Sequence, residues 1–188
     1  MKKSKFIVLA APSGSGKTTL VNKLLKESKL DLSFSISATS RSPRANELDG
    51  KNYFFLSKEE FIKKIKNREF LEWEEVYKDT FYGTLNSELE NAVEKNLIFD
   101  IDVIGGLNIK KKFPNQTLTI FIKPPSIDEL ESRLKKRNSE SEFSIKIRIN
   151  KAKDEILLAD KFDYVVENDI LEKSYNKVFK LVNNFINE

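Results

Sequence analysis

The sequence contains no cysteine and no histidine. Their absence excludes disulfides, thiolate nucleophiles, zinc sites built from Cys and His, and every catalytic triad in which histidine is the base. Any chemistry of this chain must therefore use carboxylates, Lys, Arg, hydroxyls, backbone amides or a bound metal ion.

Long apolar runs are also missing. The apolar run at 6–11 has six residues, whereas the core of a secretory signal needs about 7–15. It leads directly into a loop rich in Gly and Ser, and no other stretch approaches the roughly 20 residues of a membrane span. We therefore predict a cytoplasmic protein with no membrane partner.

Neither sign of charge is in large excess. The 188 residues include 33 Lys plus Arg and 29 Asp plus Glu, which gives a net charge of +4. This surplus is weak support for nucleic-acid binding, because a polyanionic small ligand accounts for it equally well. We expect a small-molecule ligand and no nucleic acid. The length favours one domain, and the sequence does not indicate an oligomeric state.

Arginine is scarce, since the chain has six arginines and 27 lysines. A position occupied by Arg in so lysine-rich a chain indicates a need for the planar, bidentate guanidinium group. Five of the six lie in segments that carry the functional motifs, namely Arg41, Arg44, Arg133, Arg137 and Arg148.

Apolar segments of strand type alternate with segments of helix type along the chain. The expected strands are Phe6–Ala10, 34–39, 97–102, 118–122 and 164–166, and the main expected helices follow residue 16 and cover 58–65, 86–95, 127–137, 144–159 and the C-terminus. Repeated βα units predict an α/β fold with a parallel sheet flanked by helices. The polar stretches at 38–85 and 126–155 are then insertions over one edge of that sheet.

The segment between the first strand and the first helix has the pattern of a phosphate-binding loop. It consists of Ala11, Pro12, Ser13, Gly14, Ser15, Gly16, Lys17 and Thr18. Small residues let backbone N–H groups converge on phosphate oxygens, Lys17 reaches the β- and γ-phosphates, and the Thr18 hydroxyl can bind Mg²⁺. Ala11 replaces the first Gly of the general motif. The alternative is a Gly/Ser turn beside an ordinary lysine.

A phosphate loop needs an acidic partner for Mg²⁺ at the end of a neighbouring strand. Asp100 ends the apolar segment that begins at residue 97, and Asp102 shares a face with it in an extended strand. We predict Asp100 as the metal partner. The alternative is that one or both carboxylates begin a polar turn before Gly105.

The ordered set of remaining segments resembles the guanylate kinase family over essentially the whole chain. The resemblance rests on 34–44, 49–53, 69–73, 82–84, 100–102, 124–126 and the arginines at 133, 137 and 148. It implies a nucleoside monophosphate kinase fold, with a core of 1–36, 86–125 and 156–188, a GMP-binding insertion at 37–85 and a helical lid at 126–155. The implied activity is Mg²⁺-dependent phosphorylation of GMP, and of dGMP, by direct in-line transfer from ATP, with GDP as the product.

The resemblance implies that Arg41, Arg44, Tyr53 and Tyr82 bind the phosphate of GMP. Two guanidinium groups and two phenols suit a dianionic phosphate, because their charge-assisted hydrogen bonds are directional. The alternative readings are a solvated loop for the arginines and ordinary packing for the tyrosines.

The resemblance also implies that Glu72, with Ser37 and Thr84, reads guanine. A carboxylate accepts from both the N1–H and the 2-amino group of guanine, whereas adenine presents a lone pair to it. Asp102 is assigned to the acceptor nucleoside as well. Because Glu72 lies in an acidic cluster, the alternative is a solvated helix or loop face.

In the lid, Arg133, Arg137 and Arg148 are expected to close over the triphosphate and stabilise the transferring phosphoryl group. Asn168, after the last strand, is the expected contact for the base of ATP. Two residues depart from the family pattern, namely Ile104, where Gln is usual, and Asn138, where Gly often ends the first lid helix.

Two rival functions fit parts of the pattern. One is a phosphate-loop kinase for another phosphorylated metabolite. The other is a non-catalytic module that binds a phosphopeptide through Arg41, Arg44, Tyr53 and Tyr82. The intact Lys17, Thr18 and Asp100 favour a catalytic protein.

Overall fold

The computed structural model describes residues 4–91, 94–136 and 141–188 and contains two sheets and seven α-helices there. The strands are β1 (Phe6–Ala10), β2 (Leu32–Ser35), β3 (Ser37–Thr39), β4 (Phe54–Phe55), β5 (Phe70–Tyr77), β6 (Thr80–Leu85), β7 (Asn96–Ile101), β8 (Thr117–Lys123) and β9 (Tyr164–Glu167). The helices are α1 (Lys17–Leu24), α2 (Lys58–Lys66), α3 (Ser87–Asn91), α4 (Val103–Lys112), α5 (Ile127–Lys136), α6 (Glu142–Ile156) and α7 (Leu171–Asn187).

The larger sheet has the strand order β2-β7-β1-β8-β9, and every pair in it is parallel. Strand β1 is buried along its whole length, because helices cover both faces of the sheet. Ile7 and Leu9 pack towards α1 and α7, whereas Val8 and Ala10 pack with α4. The predicted parallel sheet flanked by helices is confirmed.

The predicted single strand at 34–39 is wrong, because the structure divides it into two strands of different sheets. Strand β2 pairs with β7 in the larger sheet, and β3 pairs with β4 and β6 in a second sheet of order β4-β3-β6-β5. Between them, the N–H of Ile36 donates to Glu88 Oε2 at 2.5 Å. Alternating residues continue across the break, so the pattern alone does not reveal it.

One helix was not predicted, and two others differ from their predicted extents. Helix α4 was not predicted from the sequence; it begins where Asp102 caps its first turn by accepting from the N–H of Gly105 at 2.9 Å. The helix predicted at 86–95 is α3, and residues 94 and 95 lie outside it. The helix predicted at 144–159 is α6, shifted towards the N-terminus.

Helices α5 and α6 pack on each other through a small apolar cluster and lie beside the phosphate loop. The cluster consists of Leu130, Leu134, Ile145, Ile149 and Ala152. A Cβ on Gly14 would lie 3.1 Å from carbon atoms of both leucines, so this glycine lets α5 approach the loop. None of the helices in the described residues is both long enough and apolar enough to cross a bilayer.

The capping box of α2 gives a test of local stability. Ser57 Oγ accepts from the N–H of Glu60 at 3.1 Å, and Glu60 Oε2 accepts from the N–H of Ser57 at 2.7 Å. We expect Ser57→Ala to lower the free energy of unfolding by about 1 kcal/mol, measured by urea denaturation. Lys66→Ala, on the exposed side of the same helix, is the control. Equal stabilities of the two variants would contradict the capping role.

Candidate functional site

The phosphate loop takes a conformation that needs glycine at two positions. Gly14 and Gly16 have φ values of 97° and 86°, in the left-handed region that side chains rarely adopt. Asn168 Nδ2 donates to the carbonyl of Ser15 at 2.7 Å, and a Cβ on Gly16 would lie 2.4 Å from that nitrogen. A residue after β9 therefore supports the loop from outside.

Lys17, Thr18 and Asp100 meet where β7 ends beside the loop. Lys17 Nζ lies 3.0 Å from Asp100 Oδ1 and also donates to the carbonyl of Ile101. The Thr18 hydroxyl donates to Asp100 Oδ2 at 2.6 Å. A hydroxyl and a carboxylate side by side are the oxygen ligands that Mg²⁺ takes in phosphate sites, where substrate and water supply the others. These two residues therefore fit a magnesium ion.

Arg41 is held by contacts on almost every side. Its Nε donates to Tyr82 Oη at 3.1 Å, and its Cζ lies 5.0 Å from the ring centroid of Tyr53. Nη1 and Nη2 donate to the carboxylate of Glu47 at 2.6 and 2.7 Å. Arg41, Tyr53 and Tyr82 thus come together, and burial raises the pKa of the Tyr53 hydroxyl to about 12.

Glu47 also belongs to this group of residues, although it was not predicted from the sequence. Besides its two bonds from Arg41, Glu47 Oε2 accepts from the backbone N–H of Arg44 at 2.8 Å. Hydrogen bonds from Arg41 lower the pKa of this carboxyl, so it remains charged near neutral pH. Nothing in the sequence separates it from the other acidic residues of the turn-rich segment, because the contact depends on how the segment folds back.

Glu72 lies buried in the second sheet and is only 6% exposed. Its position opposite Thr84 on β6, which in turn pairs with Ser37 on β3, brings these three residues together. Thr84 Oγ1 donates to Glu72 Oε1 at 2.7 Å, and no donor among the described residues contacts Oε2. The alternative of a solvated acidic face is therefore wrong for Glu72.

The buried carboxyl of Glu72 has a raised pKa and lies against Gly105. Burial, with a smaller contribution from Asp102, raises its pKa to about 8. A Cβ on Gly105 would lie 2.6 Å from Glu72 Oε2. Helix α4 can therefore bring its first turn against this oxygen only because residue 105 is glycine.

Asp102 stands beside further acidic residues that the sequence analysis did not assign. Glu74 on β5 and Glu155 on α6 both have pKa values raised to about 7, first of all by burial. Asp102 and Glu155 line the same cleft as Glu72. Ile104 lies half-buried in the first turn of α4.

Two of the three arginines predicted to lie in a lid are within the described residues, and they contact the phosphate loop or Asn168, which supports it. Arg148 Nη1 donates to Ser13 Oγ at 2.7 Å. Arg133 donates to the carbonyl of Asn168 at 3.3 Å through Nη2 and to Glu129 through Nε at 2.9 Å. Arg137 and Asn138 lie outside the described residues.

One open cleft, of about 1030 Å³ when the solvent at its mouth is included, unites the phosphate loop with most of the other predicted site residues. Besides residues 11–18, its lining includes Ser37, Arg41, Arg44, Tyr53, Glu72, Tyr82, Asp100, Asp102 and Arg148. Arg133 and Asn168 line an adjoining cavity on the other side of Gly14 and Gly16. Thr84 is fully buried behind Glu72.

The family model described as Guanylate kinase matches residues 3–185. A guanylate kinase of Porphyromonas gingivalis is 50% identical over 97% of this chain and 98% of that protein. One of Bacteroides fragilis is 51% identical over 97% of this chain and 90% of that protein.

A solved structure, the guanylate kinase of Anaplasma phagocytophilum, superimposes with a TM-score of 0.77 at 28% identity. The match covers 96% of this chain and 85% of that one. The family match over nearly the full length, the close relatives and the shared fold agree: this chain belongs to the guanylate kinase family.

Proposed function

We propose that this chain transfers the γ-phosphoryl group of ATP to GMP, or to dGMP, and so forms the diphosphate and ADP. The observation that carries the proposal is one cleft with a phosphate loop on one wall and the Arg41 and Glu72 groups on the other. Family membership supports the same reaction. Nucleotides are then its partners, while a cytoplasmic location and the absence of nucleic acid remain predictions from the sequence.

The triphosphate binds at the phosphate loop, residues 11–18. Its backbone N–H groups and Lys17 contact the phosphates, Arg133 and Arg137 approach from the lid, and Asn168 contacts the base. Thr18 and Asp100 would hold a Mg²⁺ ion, which would supply positive charge to stabilise the transferring phosphoryl group. Thr18 Oγ1 donates to Asp100 Oδ2 at 2.6 Å, and this contact between the two proposed ligands supports the assignment.

The phosphate of GMP binds between Arg41, Arg44, Tyr53 and Tyr82. Arg41 already contacts Tyr82 and Tyr53, which supports a common role for them. Its pairing with Glu47 fixes the guanidinium before the substrate arrives, so little side-chain entropy remains to be lost on binding. In this assignment, 37–85 is the acceptor-binding insertion, 126–155 is the lid and the remaining segments are the core.

The guanine base binds against Glu72, Thr84, Ser37 and Asp102. The second oxygen of Glu72 lacks a donor in the described residues, and guanine offers two donors side by side. Adenine would leave the buried carboxylate unsatisfied, which discriminates strongly against it.

Transfer itself needs positioning and charge stabilisation more than proton chemistry. In this proposal the γ-phosphate of ATP and the phosphate of GMP occupy the same cleft, so the acceptor oxygen can displace ADP in line. Lys17 and Arg148 then lie beside the transferring phosphoryl group. Closure of the lid excludes water, which would otherwise accept the phosphoryl group.

The guanine assignment is tested with variants of β5. We expect Glu72→Gln to lower kcat/KM for GMP by about 10²–10³-fold, because an amide cannot accept from both guanine donors. A coupled ADP-release assay with GMP, AMP, CMP, UMP and dTMP measures it. Glu75→Gln, exposed on the same strand, is the matched control. An unchanged preference for GMP in Glu72→Gln would overturn the assignment.

Proton linkage gives a second test of Glu72. Since its pKa is about 8 in the empty site and guanine binds the carboxylate, GMP binding requires loss of a proton below that pH. The dissociation constant for GMP should therefore fall about fivefold between pH 7 and pH 8, measured by calorimetry. Glu72→Gln should remove this fall. A constant that is flat or rising in the unmodified protein would contradict the linkage.

The phosphate loop is tested by separating binding from transfer. Lys17→Ala should lower kcat by about 10²–10³-fold through loss of a charge-stabilising donor, while calorimetry still detects GMP binding. Lys23→Ala on the same helix is the control. Normal kcat in Lys17→Ala would refute the catalytic role of the phosphate loop.

A further inference from the structure

One face of α6 contacts both walls of the cleft. Arg148, Lys151 and Glu155 are three and four residues apart, so they share a face of the helix. Arg148 Nη1 donates to Ser13 Oγ of the phosphate loop at 2.7 Å. The same guanidinium also reaches the end of β5, which belongs to the second sheet.

Tyr77, the last residue of β5, contacts two cations of α6. Arg148 Cζ lies 5.2 Å from the centroid of its ring, and Arg148 Nη1 lies 3.4 Å from Tyr77 Oη. Lys151 Nζ lies 5.5 Å from the same centroid. Both separations are within the range of cation–π attraction. The ring therefore forms a surface on which the Arg148 guanidinium rests.

Lys151 links the end of β5 to α6, next to the contact between Tyr77 and Arg148. Its Nζ donates to the carbonyl of Val76 at 3.1 Å and lies 3.7 Å from Glu74 Oε1 and 3.8 Å from Glu155 Oε1. The side chain is only 22% exposed, so these charges interact with little screening. Lys151 thereby fixes the strand segment that carries Tyr77.

The contact between Tyr77 and Arg148 matters because an arginine side chain is flexible. Fixing a long side chain costs conformational entropy, and a guanidinium acts on a transferring phosphoryl group only in the correct orientation. The cation–π contact with Tyr77 and the hydrogen bond to Ser13 together leave the Arg148 guanidinium few alternative orientations. The acceptor side of the cleft thus helps to orient a cation that acts on the donor side.

We propose that Tyr77 and Lys151 are positioning residues that hold Arg148 in its orientation for phosphoryl transfer. Neither residue was singled out from the sequence, and neither is assigned a contact with a nucleotide. The inference rests on the role of Arg148 under the proposed function. It implies that substitutions at the end of β5 lower kcat and leave GMP affinity almost unchanged.

The test is a double-variant cycle with kcat as the readout. We expect Tyr77→Leu to lower kcat about tenfold, with KM for GMP changed by less than about threefold. Tyr77→Phe, which keeps the ring, should stay within about twofold of the unmodified enzyme. In an Arg148→Ala background, Tyr77→Leu should lower kcat no further, because the group it positions is gone.

Each outcome of the cycle has one meaning. The same tenfold loss in both backgrounds would overturn the inference, since Tyr77 would then act on the fold rather than on Arg148. A low kcat in Arg148→Ala together with a normal kcat in Tyr77→Leu would overturn the inference and leave the proposed function intact. Normal kcat in Arg148→Ala would overturn the proposed role of Arg148 itself, and the inference with it.

Lys151→Met keeps the inference testable if Tyr77→Leu does not fold. This substitution removes the charge from a partly exposed side chain, and we expect kcat to fall about fivefold, again only when Arg148 is present. Lys153→Met, exposed on the same helix, is the matched control. Equal effects of the two lysine variants on kcat would contradict a specific role for Lys151.

Discussion

The parallel pairing of β1 with β7 is the constraint on which the site depends. In this register Ala10 lies beside Ile101. The phosphate loop, which follows β1, therefore begins next to the end of β7, where Asp100 and Asp102 lie. The carboxyl ends of parallel strands meet at one edge of the sheet. Lys17, Thr18 and Asp100 come together there, and residues of β3, β6 and α6 line the same cleft.

Charge is distributed unevenly within the cleft. The phosphate loop and the Arg41 region present cations, whereas the floor between them holds the carboxyls of Glu72, Asp102 and Glu155. Burial raises the pKa of the Glu72 and Glu155 carboxyls, which reduces the cost of keeping several acids close together. A substrate with an anionic end and a base rich in donors complements this arrangement better than a uniformly anionic one.

Much of the fold follows from local patterns. The buried β1, the glycine-rich loop, the capping box at Ser57 and the amphipathic C-terminal helix are signalled by neighbouring residues, and the structure has all four. The break at Ile36 and helix α4 were not predicted. Both depend on contacts distant in sequence, namely the pairing of β2 with β7 and the packing of Val103 and Ile109 under the sheet.

The sequence by itself determined which chemical groups are available: a phosphate loop with its lysine, a few arginines in a lysine-rich chain, and no histidine or cysteine. Spacing and residue type suffice for these features because each is local or compositional. The tertiary structure alone decided that Glu72 is buried with an oxygen against Gly105, that Glu47 holds Arg41, and that Tyr77 lies under Arg148. Burial and long-range contact arise from how distant segments pack, and no short window of sequence contains that information.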